Sequence, residues 1–173
     1  MKTLTDQLTQ YAYYHQDPRN INTHFVGVPM IVMAVVTLMS RPILAVGGMP
    51  LSLALIAAVL ATIFYLRLDL RFGVVLGAVL ALMMTVGQWL AAQSTALWLG
   101  AGFGLFVVGW IIQFVGHYYE GKKPAFVDDL VGLLIGPLFV TAELGFLLQM
   151  RLELKAEIHN RLENSGRLSG AMV

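Results

Sequence analysis

The segment LVGLLIGPLFVTAELGFLL, residues 130–148, decides how many times this chain crosses a membrane. At about 1.5 Å per residue, a helix of this length could span the hydrocarbon layer. However, Gly136 and Pro137 interrupt the segment, and Glu143 places a carboxyl group inside it. Two interpretations are therefore open. The segment either crosses the membrane, or it enters as two half-helices joined at Gly136 and Pro137 and returns to the same side.

The composition of the whole chain indicates an integral membrane protein. The 173 residues are 58% hydrophobic and 12% charged, whereas about a quarter of the residues in an ordinary soluble domain are charged. Mean hydropathy is +0.74. Four further apolar segments, residues 25–40, 51–66, 73–91 and 96–115, are predicted to span the bilayer. With a net charge of +1, no nucleic-acid partner is predicted, and the absence of cysteine excludes disulfides and thiolate metal sites.

The distribution of Lys and Arg favours the re-entrant interpretation of residues 130–148. If this segment spans the bilayer, six of the eleven Lys and Arg residues lie on the cytoplasmic side and five on the other. If it returns, ten of the eleven are cytoplasmic, and Arg41 is the exception. We therefore predict an all-α integral membrane protein with about four transmembrane helices, a re-entrant or kinked segment, and both termini in the cytoplasm.

Three of the four histidines fall at one face of this predicted bundle. His15 and His24 precede the first span, and His117 follows the fourth. Neutral imidazole is the commonest protein ligand for zinc, copper and ferrous iron, so the placement predicts a site for one metal ion. Three imidazoles suit zinc as well as iron. The alternative is that each histidine is an interfacial polar residue with a satisfied hydrogen bond.

Two carboxylates are functional candidates because ionisable groups at membrane depth are costly. Glu120 follows His117 by three residues and shares its helical face, and Glu143 would point toward the same mouth of the bundle. The residues required by other kinds of catalytic site are missing from this sequence. A histidine-box di-iron site needs about twice the histidines present, and a carboxylate-bridged bundle needs Glu-x-x-His on two helices. The motifs H-E-x-x-H and G-x-S-x-G are absent.

The chain is predicted to form a single domain with four consecutive parts. In residues 149–164, apolar side chains recur every four residues between charges, which predicts an amphipathic helix on the membrane interface. The predicted divisions are a polar metal-site segment at 1–24, a helical bundle at 25–148, the interfacial helix at 149–164 and a tail at 165–173. Tyr11 is predicted to belong to an interfacial aromatic belt, although its position beside the histidines also allows a supporting role at the site. The glycines of residues 73–77 and 100–110 are predicted to pack helices together.

Three motifs together resemble one known family. They are YHQDPRNINTHFVGVP at residues 14–29, QFVGHYYEGKKPAF at 113–126 and PLFVTAE at 137–143. In content and order they are similar to the fungal 2-hydroxy fatty acid dioxygenases and their bacterial relatives. The likeness runs from Tyr11 to Glu143, which is nearly the whole chain outside its C-terminal part.

The resemblance implies an enzyme that needs ferrous iron and converts a long-chain 2-hydroxy fatty acid and dioxygen into the acid one carbon shorter. It implies that His15, His24 and His117 are the iron ligands. Glu120 or Glu143 would orient a ligand imidazole or accept the substrate hydroxyl proton. Four polar residues are expected to bind the anionic headgroup: Arg19, Asn20, Lys122 and Lys123.

A lipid bilayer is the expected environment, either the inner membrane of a bacterium or the endoplasmic reticulum of a eukaryote. A different class of function stays open, namely a small transporter or an ion- or proton-conducting protein that uses the same histidines. Transporters usually contain internal repeats with broken helices in both halves, and this chain has one broken segment. No oligomeric state is predicted.

Overall fold

The computed structural model describes residues 2–46, 49–124 and 131–166. Within these ranges the chain forms seven helices and one short hairpin, which confirms the all-α membrane fold class. The elements in chain order are α1 (Leu4–Tyr13), α2 (Pro18–Ser40), β1 (Ile43–Val46), β2 (Met49–Ser52), α3 (Leu53–Leu68), α4 (Leu70–Ala91), α5 (Thr95–Glu120), α6 (Gly132–Leu147) and α7 (Leu152–Asn164).

In the described part of the chain, three helices, α2, α4 and α5, are long and apolar enough to cross a bilayer. The bent pair α6 and α7 passes the same test when it is counted together, and α3 is apolar but has only 16 residues. The chain divides into two compact units. One comprises Met1–Phe25 and Gln113–Val173, and the other comprises Val26–Ile112.

Helix α2 begins earlier than the predicted first span at residue 25. Its N-terminal cap is Asp17, whose carboxylate accepts a hydrogen bond from the Arg19 backbone N–H at 2.8 Å. Pro18 is the first helical residue, where its fixed φ suits a helix and its missing N–H costs nothing. The Pro-Arg-Asn stretch is therefore the first turn of the helix, and α2 has 23 residues rather than the 16 of residues 25–40.

The break in the helix was expected at Gly136 and Pro137, but the structure has it between α6 and α7. Helix α6 continues through Pro137, because a proline there removes only one backbone hydrogen bond and the side chains around it are buried. The chain bends by 116° between α6 and α7. There the N–H groups of Gln149 and Met150 bond to the carbonyls of Phe146 and Gly145, which is a Schellman motif. Gln149 takes the left-handed conformation, with φ of 59°, that usually requires glycine.

Helix α7 is amphipathic as predicted, but its apolar face is covered by protein. Leu154, Ile158 and Leu162 are buried, and α7 packs against α1. The guanidinium of Arg161 lies 2.7 Å from the carboxylate of Asp6 at this contact. The interfacial location of α7 remains a prediction, and residues 167–173 of the predicted tail lie outside the described ranges.

In the unit Val26–Ile112, β1 and β2 form an antiparallel hairpin where a loop and a helix start were expected. Val46 pairs with Met49, so two residues separate the strands. Those residues are Gly47 and Gly48, which the structure does not describe. A Gly-Gly pair between apolar residues is typical of a hairpin turn.

Some of the glycines predicted to pack helices together do so in this unit, whereas Gly100 and Gly104 have no atom within 4 Å of their Cβ positions. A Cβ atom on Gly73 would lie 2.6 Å from the backbone of Leu66 in α3, and one on Gly109 would lie 3.1 Å from the Gly27 carbonyl oxygen in α2. The outward faces of these helices are apolar. Only 11% of the most apolar window of α5 is buried in protein, which suits a helix surrounded by lipid.

Candidate metal centre

Three buried imidazoles converge in the unit made of Met1–Phe25 and Gln113–Val173. His15 lies in the connection between α1 and α2, whereas His24 lies in α2 and His117 in the last turn of α5. Their exposed fractions are 2%, 2% and 7%. One ligand nitrogen of each ring lies within 4.8 Å of the other two. The structure thus brings together the three histidines that the sequence selected.

Backbone carbonyls hold two of these rings in a single tautomer. Nδ1 of His15 is 2.7 Å from the Tyr11 carbonyl oxygen, and Nδ1 of His24 is 2.9 Å from the Asn20 carbonyl oxygen. A carbonyl only accepts, so each Nδ1 carries the hydrogen and each neutral ring has its lone pair on Nε2. Metal-binding histidines are commonly oriented by this kind of hydrogen bond.

The two Nε2 atoms of His15 and His24 face each other at 2.9 Å. Two lone pairs at that distance repel each other unless a proton or a cation neutralises them. Metal–nitrogen bonds of roughly 2.0–2.1 Å place two ligand nitrogens about 2.9 Å apart when they meet at a right angle. These two nitrogens therefore fit one first-row divalent ion, and the structure leaves the identity of that ion open.

His117 supplies a third nitrogen that needs a partner. Its Nδ1 is buried and has no hydrogen-bond partner among the described residues. The His117 ring centroid lies 4.9 Å from that of His15 and 5.3 Å from that of His24. A buried polar atom without a partner is costly, and a bound cation would remove that cost. This is the second observation that favours a metal ion.

Burial keeps His15 neutral, which is the form that binds metals. The pKa of His15 lies well below its usual value, first because the ring is removed from water and second because His24 would oppose a second positive charge. Protons therefore compete less with a metal ion at this ring than at an exposed histidine.

Aromatic rings enclose the imidazoles on one side. The ring of Tyr11 stacks on His15 with centroids 4.2 Å apart, and Phe139 of α6 lies 5.5 Å from His15. Tyr11 is 8% exposed, so it lines the site and does not belong to the exposed aromatic belt that was predicted. Its phenolic pKa is raised because the ring is buried. Helix α6 therefore contributes an apolar wall to the centre.

Glu120 holds the segment that carries His15. Its carboxylate oxygens accept hydrogen bonds from the backbone N–H groups of Gln16 and Asp17, at 3.0 and 2.8 Å. The side chain is 3% exposed, and the ammonium group of Lys122 lies 3.8 Å away. The carboxylate thus sits at the N-terminus of α2, where free N–H groups favour an anion. Its hydrogen bonds within the described residues come from backbone N–H groups and from the Asn20 side chain, and none comes from an imidazole.

Asn20 is part of the support of the site and not of an exposed surface. Its side chain is fully buried and donates to the Tyr14 carbonyl and to Glu120, at 3.3 and 3.2 Å. Gly116 allows α5 to approach α2 at this level, because a Cβ atom there would overlap Thr23 and Asn20. This close approach precedes His117 by one residue.

The three predicted headgroup cations differ in their surroundings. Arg19 is 64% exposed and pairs with Asp17 at 2.7 Å, with its guanidinium 4.5 Å from the Tyr119 ring centroid. Lys122 is 25% exposed and donates to the Tyr13 carbonyl at 2.8 Å. Lys123 is exposed.

Glu143 lies on α6, one turn after Phe139, and is outside the cluster of three imidazoles. Its carboxyl group is largely buried, and it interacts electrostatically with the ammonium group of Lys155 on α7. Of the two carboxylates selected from the sequence, Glu120 is the one that, among the described residues, hydrogen-bonds to the segments that carry His15 and His24.

Comparison with known proteins identifies the family. The family model described as 2-hydroxy-palmitic acid dioxygenase Mpo1-like matches residues 1–148. The chain belongs to this family. The 2-hydroxy-palmitic acid dioxygenase MPO1 of Saccharomyces cerevisiae is 35% identical over 162 residues, covering 92% of this chain and 90% of the yeast protein. The resemblance drawn from the motifs is confirmed. No solved structure matches the chain.

Several residues around the centre were not singled out from the sequence. Gln113 and Gly116 lie in the motif QFVGHYYE. Gln113 precedes His117 by four residues, and Gly116 precedes Glu120 by four, and a helix places each such pair on one face. That spacing was available as a signal. Phe139 had no signal of its own, because an apolar residue in an apolar segment is usually a packing residue.

Proposed function

We propose that this protein is an iron(II)-dependent dioxygenase that converts long-chain 2-hydroxy fatty acids into acids one carbon shorter. The observation that carries the proposal is the convergence of three buried imidazoles, two of which have their lone pairs fixed toward each other. The name of the yeast relative supports the substrate class. Iron is proposed over zinc because zinc has no redox chemistry for reducing dioxygen.

The proposed reaction balances without a further reductant. One dioxygen accepts four electrons from the 2-hydroxy acid, and the bond between C1 and C2 breaks. C1 leaves as carbon dioxide, C2 becomes the carboxyl carbon of the shortened acid, and one water forms. A bound ferrous ion would supply the redox-active centre at which substrate and dioxygen meet.

The protein contributes orientation and charge to this reaction. Three neutral imidazoles leave the full positive charge of the ion in place, which favours an anionic substrate. We assign Arg19, Lys122 and Lys123 to attraction of the carboxylate headgroup, since all three are at least partly accessible. Asn20 is assigned to orientation of His24 through its backbone carbonyl.

The two carboxylates receive different proposed roles. Glu120 positions His15, because it binds the backbone of the next two residues. Glu143 is the candidate acceptor of the substrate hydroxyl proton, since it shares a helical face with Phe139, which lies beside His15. A general base contributes about 10²-fold or more to turnover. Glu143→Gln should therefore lower kcat by that factor with unchanged metal content, and unaltered turnover would remove Glu143 from the reaction.

Chain length should control binding. Burial of each methylene contributes roughly 0.8 kcal/mol, so a substrate shorter by about six methylenes loses on the order of 5 kcal/mol. Short soluble 2-hydroxy acids should therefore be poor substrates.

We further propose that the protein resides in the inner membrane of a bacterium or the endoplasmic reticulum of a eukaryote, with both termini cytoplasmic, as the positive-inside count favours.

The deciding experiment supplies 2-hydroxypalmitic acid and isotopically labelled dioxygen to the purified, reduced, iron-loaded protein. Mass spectrometry should detect pentadecanoic acid that contains the label. Palmitic acid serves as the chain-matched control and should not be shortened. If the label stays out of the shortened acid, or if both acids react equally, the proposal fails.

A further inference from the structure

Gln113 lies on the same face of α5 as the metal centre. Gln113, Gly116, His117 and Glu120 occupy positions i, i+3, i+4 and i+7, which form one stripe of an α-helix. Three of these residues already have an explanation in the site. Gly116 permits the close approach of α2, His117 is a candidate ligand, and Glu120 holds the segment before α2. Gln113 has none.

The amide of Gln113 is buried, and its hydrogen bonding is incomplete. The side chain is 4% exposed, and its Nε2 has no hydrogen-bond partner within the described part of the chain. In that same part, only four buried side-chain atoms lack a partner. Three of them belong to Asn20, Gln113 and His117, which lie on α2 and on this face of α5. Because buried polar atoms are normally paired, such a grouping indicates a place where a polar ligand completes the hydrogen bonds.

The amide of Gln113 is a hydrogen-bond donor that suits an uncharged oxygen atom of a ligand. Lys and Arg residues near the site already provide charge for a carboxylate, whereas a primary amide provides a neutral donor without burying a further charge. The uncharged polar group of a 2-hydroxy acid is its hydroxyl. A site built to donate to a hydroxyl rejects the analogue that lacks it, since the donor is then left unpaired.

We propose that the Nε2 amide of Gln113 donates a hydrogen bond to the 2-hydroxyl oxygen of the bound acid and so selects 2-hydroxy acids over plain fatty acids. This inference rests on the proposed function, because it takes the 2-hydroxy acid as the ligand of the site. Gln113 is thus a specificity-determining residue.

The test measures equilibrium binding of 2-hydroxypalmitate and palmitate to the full-length, metal-loaded protein in detergent, by calorimetry. Gln113→Leu removes the donor at similar size, and Gln88→Leu makes the same change at an exposed position of α4. Wild type and Gln88→Leu should prefer 2-hydroxypalmitate. Gln113→Leu should weaken 2-hydroxypalmitate binding roughly ten-fold or more, leave palmitate binding as strong as in wild type or stronger, and retain the metal.

A second variant guards against a loss that reflects altered folding. Gln113→Glu keeps the shape of the side chain but places an acceptor near the carboxylate of the ligand, so it should weaken the binding of both acids. Metal content and helicity are measured for every variant. A Gln113→Leu protein that keeps the wild-type preference, or that loses its metal, overturns the assignment of Gln113 alone. A wild-type protein without preference for the hydroxy acid overturns the proposed function, and this inference with it.

Discussion

Among the charged side chains that complete helix ends in this protein, Glu120 and Arg41 do so with opposite signs. Glu120 accepts backbone N–H groups at the start of α2, and Arg41 donates to the carbonyls of Ala91 and Gln93 at the end of α4, at 2.9 and 2.7 Å. Each charge suits the partial charge of the helix terminus that it meets.

The difference between the two regions lies in what remains unpaired. Each terminal nitrogen of Arg41 and its Nε have an acceptor, and the guanidinium lies 4.1 Å from the Trp98 ring centroid. Beside Glu120, by contrast, Asn20 Oδ1 and His117 Nδ1 have no partner in the described ranges. A completed polar cluster is explained by folding, whereas an incomplete one points to a ligand.

The Arg41 region also accounts for the exception in the charge count. Arg41 is the one Lys or Arg that the predicted topology places away from the cytoplasm. Its position is required by the carbonyl groups at the end of α4 and the loop after it. It therefore does not weaken the topology that the other basic residues favour.

Outside the imidazoles, the largest effect on metal affinity is expected from Glu120→Gln. An amide presents only one acceptor oxygen to the N–H groups of Gln16 and Asp17, so the segment that carries His15 should loosen. Supporting residues of metal ligands are typically worth about 10–100-fold in affinity. Metal titration should show a loss of that size, with Glu163→Gln on α7 as the exposed control. An affinity within two-fold of wild type would make Glu120 a helix cap and nothing more.

The next effect is expected where α5 meets α2. Gly116→Ala should lower the free energy of unfolding by about 1–3 kcal/mol, because its methyl group would overlap Thr23 and Asn20. Gly104→Ala is the matched control on the same helix, since no atom lies within 4 Å of its Cβ position. That variant should be stabilised by roughly 0.5–1 kcal/mol. Denaturant unfolding in detergent compares the two, and equal shifts would contradict the close approach at Gly116.

The smallest effect on the site is expected from Arg41→Ala. Loss of its hydrogen bonds to the end of α4 should cost about 1–2 kcal/mol of stability. Metal content should not change, because the cluster around Arg41 is complete without a ligand. Thermal unfolding and metal analysis of the same sample check both statements. A variant of normal stability that loses its metal would erase the distinction between the two regions.

Much of the site was predictable because topology and chemistry constrain it together. The charge count and the lengths of the apolar segments place His15, His24 and His117 at one face, and imidazole chemistry then predicts a metal. The supporting contacts were not predictable in the same way. Glu120 was expected near an imidazole, but the N–H groups at the start of α2 compete for it, and residues more than a hundred positions apart make that contact.

The fold was predictable in class and less so in its breaks. Pro137 looked like a break, yet a single lost hydrogen bond does not interrupt a helix whose neighbouring side chains are buried. The real bend depends on Gln149 in a left-handed conformation, which sequence patterns associate with glycine. The burial of Tyr11 likewise depends on α6 and the histidines, which are distant in sequence.

The central claim is that His15, His24 and His117 together bind one metal ion. It is tested most directly by elemental analysis of purified wild type, His117→Ala and His159→Ala. His159 is half-exposed on α7, where it pairs with Glu163 at 3.2 Å, so it is a matched control. Wild type and His159→Ala should each contain about one metal ion per chain, and His117→Ala should contain almost none. Full metal occupancy in His117→Ala would contradict the account.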